Sequence, residues 1–328
     1  MRRWFVLAIL AIGCATSPPP PPYYGPGPQG PHPTQPPIGA QQPVDITRAG
    51  KLDDRLIDYQ FDGGYLEFEL YRMGTRVVQT VRSHYAVPVM VAWQMSALEN
   101  VAPVSPISGV VYVPAADKPN GVGQTVAIAE LGVMDPTQAY RRELTFRARF
   151  GDPNAQPSPY AYALPYPRGQ TFAVLQGFHG AFSHRGSNEF AVDFDCPVAT
   201  KVLAARPGII VAANAQAQGS GTTQEYLDYK RTNFVIVLHD DGTLGEYMHL
   251  APATVQVKPG QRVERLQELA LSGNTGFSST PHLHFQVMTA SPDGVSARSF
   301  PFEMAIAPDR VTEPVLSQRY TAWEVRTH

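Results

Sequence analysis

Short runs of alternating apolar and polar residues recur along this chain, and they constrain its fold more than any other feature. Leu66, Phe68 and Leu70 alternate with Glu67 and Glu69. Val87, Val89, Val91 and Trp93 repeat the period, as do Leu144, Phe146, Ala148 and Phe150 against Glu143, Thr145, Arg147 and Arg149. A period of two puts one set on each face of a strand, so these runs read as half-buried antiparallel strands. About six such runs crowd into residues 44–165 with turn residues between them, which predicts a β-sandwich-like module, immunoglobulin-like in strand number and spacing. Lys51 to Tyr59 reads as a short helix, with Leu52, Leu56 and Ile57 on its apolar side. Residues 152–167, rich in Pro, Ala and Tyr, read as a linker or edge segment. Further strand-like runs follow at 172–176, 189–195, 208–212, 233–238, 244–249 and 282–288. The expected fold class is therefore all-β: an N-terminal β-sandwich-like module (44–165), a compact antiparallel β-sheet domain (166–310) and a C-terminal tail (311–328).

The 328 residues leave room for about two domains. Charged residues make up only 16%, and the formal net charge is -2. No strong field draws the chain to nucleic acid, and no nucleic-acid partner is expected. The first 14 residues read as an export signal. Arg2 and Arg3 precede an apolar run from Trp4 to Ile12 that is about half the length a membrane span requires. The run ends in Ala11-Ile12-Gly13-Cys14, which resembles a bacterial lipobox, so Cys14 is the expected lipidation site and membrane anchor. The expected address is the cell envelope, on the periplasmic face of a membrane, with plain secretion as the alternative. Residues 15–43 form a Pro-rich linker, with twelve prolines between 17 and 43. Such a segment buries no core and serves as a semi-rigid spacer that reaches roughly 80 Å when fully extended. The other cysteine, Cys196, has no partner once Cys14 is lipidated and reads as a buried structural thiol.

Five residues stand apart from this β pattern: His184, Asp193, His249, His282 and His284. His282 and His284 share one strand face, about 7 Å apart, while Leu283, Phe285 and Val287 point to the core. Asp193 lies opposite the apolar face formed by Phe190, Val192 and Phe194. A hairpin brings His184 and Asp193 onto neighbouring strands. A hydrolytic zinc site takes three N or O ligands and keeps one position open, and two His with one carboxylate satisfy it. Two His then remain for proton transfer and oxyanion stabilisation. His239 reads as structural. His179 is a candidate support for a ligand.

Three segments carry a family resemblance: Tyr247-Met-His-Leu, Leu271-Ser-Gly-Asn-Thr-Gly-Phe and Pro281-His-Leu-His-Phe. With Ala191-Val-Asp-Phe and Val202-Leu-Ala-Ala-Arg-Pro-Gly, they make residues 169–289 resemble the LytM/lysostaphin-type M23 metallopeptidases. The resemblance implies Zn2+ held by His184, Asp193 and His284, with His249 and His282 as the catalytic histidines. It also implies a groove walled by loops, among them the one near Gly219 and the turn at 272–276. It implies hydrolysis of peptide bonds in peptidoglycan stem peptides or cross-links, so peptidoglycan peptides are the expected partners. The alternative is a non-catalytic envelope factor that binds peptidoglycan or activates an amidase. The chain departs from the family pattern in the nine-residue step from His184 to Asp193, where His-x-x-x-Asp is common. Ala199 and Ala270 stand where Gly is common.

Overall fold

The computed structural model describes residues 50–323, all within one compact unit spanning Gln41–His328. The export signal, Cys14 and the whole Pro-rich linker lie outside the described residues, as do residues 324–328. The N-terminal half supplies β1 (Lys51–Phe61), β2 (Gly64–Met73), β3 (Arg76–Ser83), β4 (Val89–Glu99), β5 (Val101–Pro103), β6 (Ser108–Val113), β7 (Val126–Val133) and β8 (Arg141–Phe150). Then come β9 (Ala161–Ala163), β10 (Thr171–Gln176), β11 (Val192–Phe194), β12 (Lys201–Leu203), β13 (Gly208–Asn214), β14 (Ser220–Gly221), β15 (Phe234–Leu238) and β16 (Leu244–Met248). The chain finishes with β17 (Arg262–Val263), β18 (Glu268–Leu271), β19 (Gly276–Phe277), β20 (Leu283–Ala290), β21 (Ala297–Phe300), β22 (Glu303–Ala307), β23 (Arg310–Thr312) and β24 (Arg319–Thr321). Helical structure among the described residues is limited to 3-10 turns at Gly186–Asn188, Gln224–Leu227 and Tyr229–Arg231. The protein is all-β, as its alternation predicts.

Two sheets build the N-terminal half, in the orders β1-β2-β3-β7-β5 and β6-β4-β8. Three consecutive strands share one sheet, whereas an immunoglobulin-type sandwich sends its third strand across to the other. The expected helix at 51–59 is a correction: these residues form edge strand β1, paired with β2 from Lys51↔Arg72 to Phe61↔Gly64. Leu52 and Leu56 suit an i, i+4 stripe, but the pairing offered by β2 prevails over local periodicity. Glu67 and Glu69 are a second correction. They do not face water; both are buried. Arg55, Arg82 and His84 meet Glu67, with Arg82 Nε at 2.8 Å and His84 Nε2 at 3.0 Å. Two carboxylates are buried here because cations are buried with them.

A nine-stranded sheet forms the second half, in the order β17-β13-β15-β16-β20-β11-β10-β24, with β21 on β20. The tail expected at 311–328 is part of this fold over its described length. β24 pairs with β10, Tyr320 is buried, and Trp323 Nε1 donates to the Ala305 carbonyl at 2.9 Å. Of the linker or edge segment expected at 152–167, the edge segment is what forms: β9 pairs with β22 at the edge of a three-stranded sheet, and Tyr162, Leu164 and Tyr166 lie in the second core. Cys196 is buried in that core with a free thiol.

The large sheet is apolar on both faces. On β15, Phe234 and Ile236 enter the core shared with the N-terminal sandwich, while Val235 and Val237 enter the other. This is why 234–238 reads as an unbroken apolar run rather than an alternation. Phe61 at the end of β1 packs edge-on against Phe234, with centroids 5.1 Å apart. The backbones of Asp62 and Ala213 exchange hydrogen bonds of 2.9 and 3.0 Å at the same junction. Gly63 permits this approach: its φ is +114°, and a Cβ there would meet the Val211 carbonyl at 2.4 Å. The N-terminal sandwich thus lies against one face of the large sheet, and that face also carries the histidines.

Candidate metal centre

β16 and β20 are adjacent, with Met248 opposite His284. Leu283, Phe285 and Val287 of β20 point into the second core, leaving His284 on the face turned toward the sandwich. β11 lies on the other side of β20, with Asp193 directly opposite His284. His184 is placed differently from the expectation of neighbouring strands. β10 and β11 do form a hairpin, but His184 sits in its long loop, where its backbone N–H donates to Gly180. The nine-residue step to Asp193 is the length of the returning loop.

Strand alternation alone would turn His249 the wrong way. Tyr247 faces the second core, so His249 would follow it. His249 instead follows the end of β16 with φ +63°. Such a φ is uncommon outside glycine, though His tolerates it more often than most residues. The ring then lies 4.5 Å from that of His282 and 5.9 Å from that of His284.

His184, Asp193 and His284 each offer a ligand atom, and these atoms all lie within 4.8 Å of one another. All three residues are buried. Nδ1 of His184 donates to the Gly177 carbonyl at 2.8 Å, which leaves Nε2 with its lone pair. That Nε2 lies 3.1 Å from Asp193 Oδ2, yet it makes no directed hydrogen bond and is sealed from solvent. His284 Nδ1 lies 2.9 Å from Asp193 Oδ1. Buried polar atoms without partners are rare in native proteins, and this donor set suits Zn2+ in type and number. A carbonyl behind the far nitrogen of the imidazole is the usual support of a metal-binding His. The residues present therefore fit a metal ion.

The electrostatics agree. Burial lowers the pKa of His184, but the Asp193 carboxylate and the Gly177 carbonyl outweigh it and raise the pKa. Burial also disfavours the Asp193 anion, yet the imidazoles of His184 and His284 beside it hold its carboxyl well below the usual range. Surroundings that favour a proton between these groups favour any cation there.

Two histidines flank the cluster. Nδ1 of His249 donates to the Thr275 carbonyl at 2.7 Å, and Nδ1 of His282 donates to the Thr280 carbonyl at 2.8 Å. Each ring thus keeps Nε2 free as a base. Burial, then the nearby His282 and His284, push the His249 pKa down to about 3, so it is neutral at neutral pH. The turn at 272–276 holds the Thr275 carbonyl in place. Gly276 adopts φ +79° there, and a Cβ would fall 2.8 Å from the Thr232 Cβ.

All five expected residues come together; Cys14 lies outside the described residues. His239 is buried away from them, with Nδ1 donating to the Pro207 carbonyl at 3.0 Å. His179 is exposed beside Glu189 at 3.2 Å and touches none of the five. Sequence reasoning missed Gln176. Its Nε2 donates to Asp193 Oδ2 at 2.8 Å and to Ser183 Oγ at 2.9 Å, while its Oε1 accepts the N–H groups of Phe182 and Ser183. The available signal was a lone amide closing the apolar run 172–175 just before the His184 loop.

Four of the histidine and aspartate positions, Asp193, His249, His282 and His284, border a cleft of about 920 Å³. Phe182 and Phe277 stack at its rim, with centroids 6.1 Å apart. Arg147 and Arg149 of the N-terminal sandwich line it as well.

Comparison with known proteins bears on the same region. Residues 187–296 match the family model described as Peptidase family M23. Glycyl-glycine endopeptidase ALE-1 of Staphylococcus capitis is 39% identical over 107 residues, 32% of this chain and 26% of that protein. Peptidoglycan DD-endopeptidase ShyA of Vibrio cholerae is 31% identical over 96 residues, 29% of this chain and 19% of that protein. An uncharacterized metalloprotease of Buchnera aphidicola is 31% identical over 103 residues, 31% of this chain and 24% of that protein. The chain thus spans about a quarter or less of the length of these relatives. The catalytic domain of lysostaphin from Staphylococcus simulans has 28% identity and a TM-score of 0.27, covering 41% of this chain and 88% of that one. The matched stretch and these relatives support peptidase family M23 for the part of the chain that carries Asp193, His249, His282 and His284.

Proposed function

We propose that this protein is a zinc-dependent endopeptidase that hydrolyses peptide bonds in peptidoglycan stem peptides or cross-links. The observation that carries the proposal is the convergence of His184, Asp193 and His284, with a buried His184 Nε2 lacking any hydrogen-bond partner, beside two histidines that keep Nε2 free. His184, Asp193 and His284 would hold the ion. Zinc so held supplies Lewis acidity to the scissile carbonyl and lowers the pKa of water.

The remaining chemistry falls to the chain's own groups. His249 and His282 each have Nδ1 fixed on a carbonyl, so a proton taken from the attacking water goes to Nε2. Once protonated, the same Nε2–H donates to the developing oxyanion or to the leaving amine. The depressed pKa of His249 keeps that imidazole neutral in the resting site. Two of the named relatives are a glycyl-glycine endopeptidase and a peptidoglycan DD-endopeptidase, which supports a cell-wall peptide as substrate. The export signal, lipidation site at Cys14 and Pro-rich spacer expected from the sequence would suit an enzyme working from a membrane on that polymer.

The test is mass spectrometry of defined cross-linked muropeptides after incubation, with and without chelator. Zinc-loaded protein should release cleaved peptides, and chelator or His284→Ala should abolish release. Intact muropeptides after treatment with protein of confirmed zinc content would overturn the proposal.

A further inference from the structure

The cleft has walls of two origins. One belongs to the large sheet and its loops. The other is β8, an edge strand of the N-terminal sandwich. Most charged groups lining the cleft are already engaged. Asp58 pairs with Lys230 at 2.6 Å. Glu246 is buried, bonded by Tyr229 and by Gln286 Nε2 at 2.5 Å. Asp193 lies among the histidines. Asp228 accepts the backbone N–H of Lys230 at 2.9 Å.

Two guanidinium groups remain. Arg147 is exposed and Arg149 half-buried; among the described residues neither lies within ion-pair distance of a carboxylate, and Asp293 acts on Arg149 only from beyond that distance. Arg149 lies 5.6 Å over the Tyr229 ring and donates only to the Ala148 carbonyl at 3.2 Å. The two residues stand two apart on one strand, on the face opposite Ala148 and Phe150, which enter the core. Their spacing along β8 is about 7 Å.

We propose that Arg147 and Arg149 form an anion subsite that takes a carboxylate of the peptide substrate. A guanidinium fork matches both oxygens of a carboxylate. Neither group must break an ion pair to receive one, and the Tyr229 ring already restrains Arg149, so little freedom is lost on binding. The N-terminal sandwich thereby reads the substrate while the large sheet carries the chemistry. This inference rests on the peptidase reading and names the substrate class of that same cleft: peptides with a free carboxylate within reach of β8. An α-carboxyl terminus and a side-chain acid share this chemistry.

The experiment uses the zinc-loaded chain and three cell-wall-derived peptides of one sequence: C-terminal acid, C-terminal amide, and an amide with one added side-chain acid. Wild type should favour at least one acid form over the plain amide by about tenfold in kcat/KM, the size of a charged hydrogen bond. The form favoured identifies the carboxylate. In Arg147→Ala and Arg149→Met the acid-to-amide ratio should collapse toward one, through KM. Equal cleavage of all three by wild type, or a ratio retained in the double variant, overturns the subsite. Should no peptide be cleaved, the peptidase reading is what has failed. Fluorescence anisotropy of the same peptides on the chelated chain then tests the subsite alone. Carboxylate-dependent affinity lost in both variants supports it, and affinity indifferent to the carboxylate overturns it.

Discussion

The amide of Gln176 holds Asp193 and the His184 loop at once, so it ties together two candidate ligands nine positions apart. Gln176→Ala should weaken zinc affinity by roughly 10–100-fold, the usual effect of losing a group that orients a ligand. Competition against a chromophoric chelator measures this, and an unchanged affinity would remove the role. His239 makes a separate prediction. Burial pushes its pKa from 6.5 down to about 4. The unfolded chain therefore takes up a proton that the native state refuses. Its contribution to stability is present above pH 6.5 and is lost as pH falls through about 4, some ~3 kcal/mol in all. Urea unfolding at stepped pH should show this decline, and His239→Gln should flatten it. At this scale the sequence was most informative. The residue types and order of His184, Asp193, His249, His282 and His284 suffice to nominate the site. The positive φ that turns His249 inward and the carbonyls of Gly177, Thr275 and Thr280 leave no mark in a one-dimensional pattern, because any residue supplies a carbonyl.

Strands were legible where one face meets a core. β2, β4, β8 and β20 follow the period of two, and the expected runs coincide with them to within a few residues. Two kinds of element escaped. β1 is an edge strand with exposed Leu52, Leu56 and Ile57, so its apolar residues report no buried face and fit a helical stripe equally well. The short strands β9, β23 and β24 hold only three residues each, too few to show a period. Their place is fixed by partners distant in sequence: β9 by β22, and β24 by β10. Glu67 and Glu69 obeyed the alternation and still defied its usual meaning, because Arg55, Arg82 and His84 cover the face that water would otherwise wet.

The boundary between the two modules is a boundary in topology and not in packing. Phe234, Ile236, Leu244 and Met288 of the large sheet share a core with Phe61, Tyr85 and Phe150 of the sandwich. Uncovering those four side chains costs on the order of 6–12 kcal/mol, comparable to the whole stability of a domain. The full chain should therefore unfold in one urea transition, with tryptophan fluorescence and far-ultraviolet circular dichroism coincident. A chain beginning at residue 152 should be insoluble or only partly folded; a soluble fragment with the native melting temperature would contradict the shared core. The same face of the large sheet serves two purposes along its length, packed under the sandwich and then open at the histidines. Under the proposed function and subsite, reactivity and selectivity fall to different strands of one polypeptide. On that proposal, substitutions at Arg147 and Arg149, on the face of β8 opposite the shared core, retune what enters the cleft while Ala148 and Phe150 keep the strand seated.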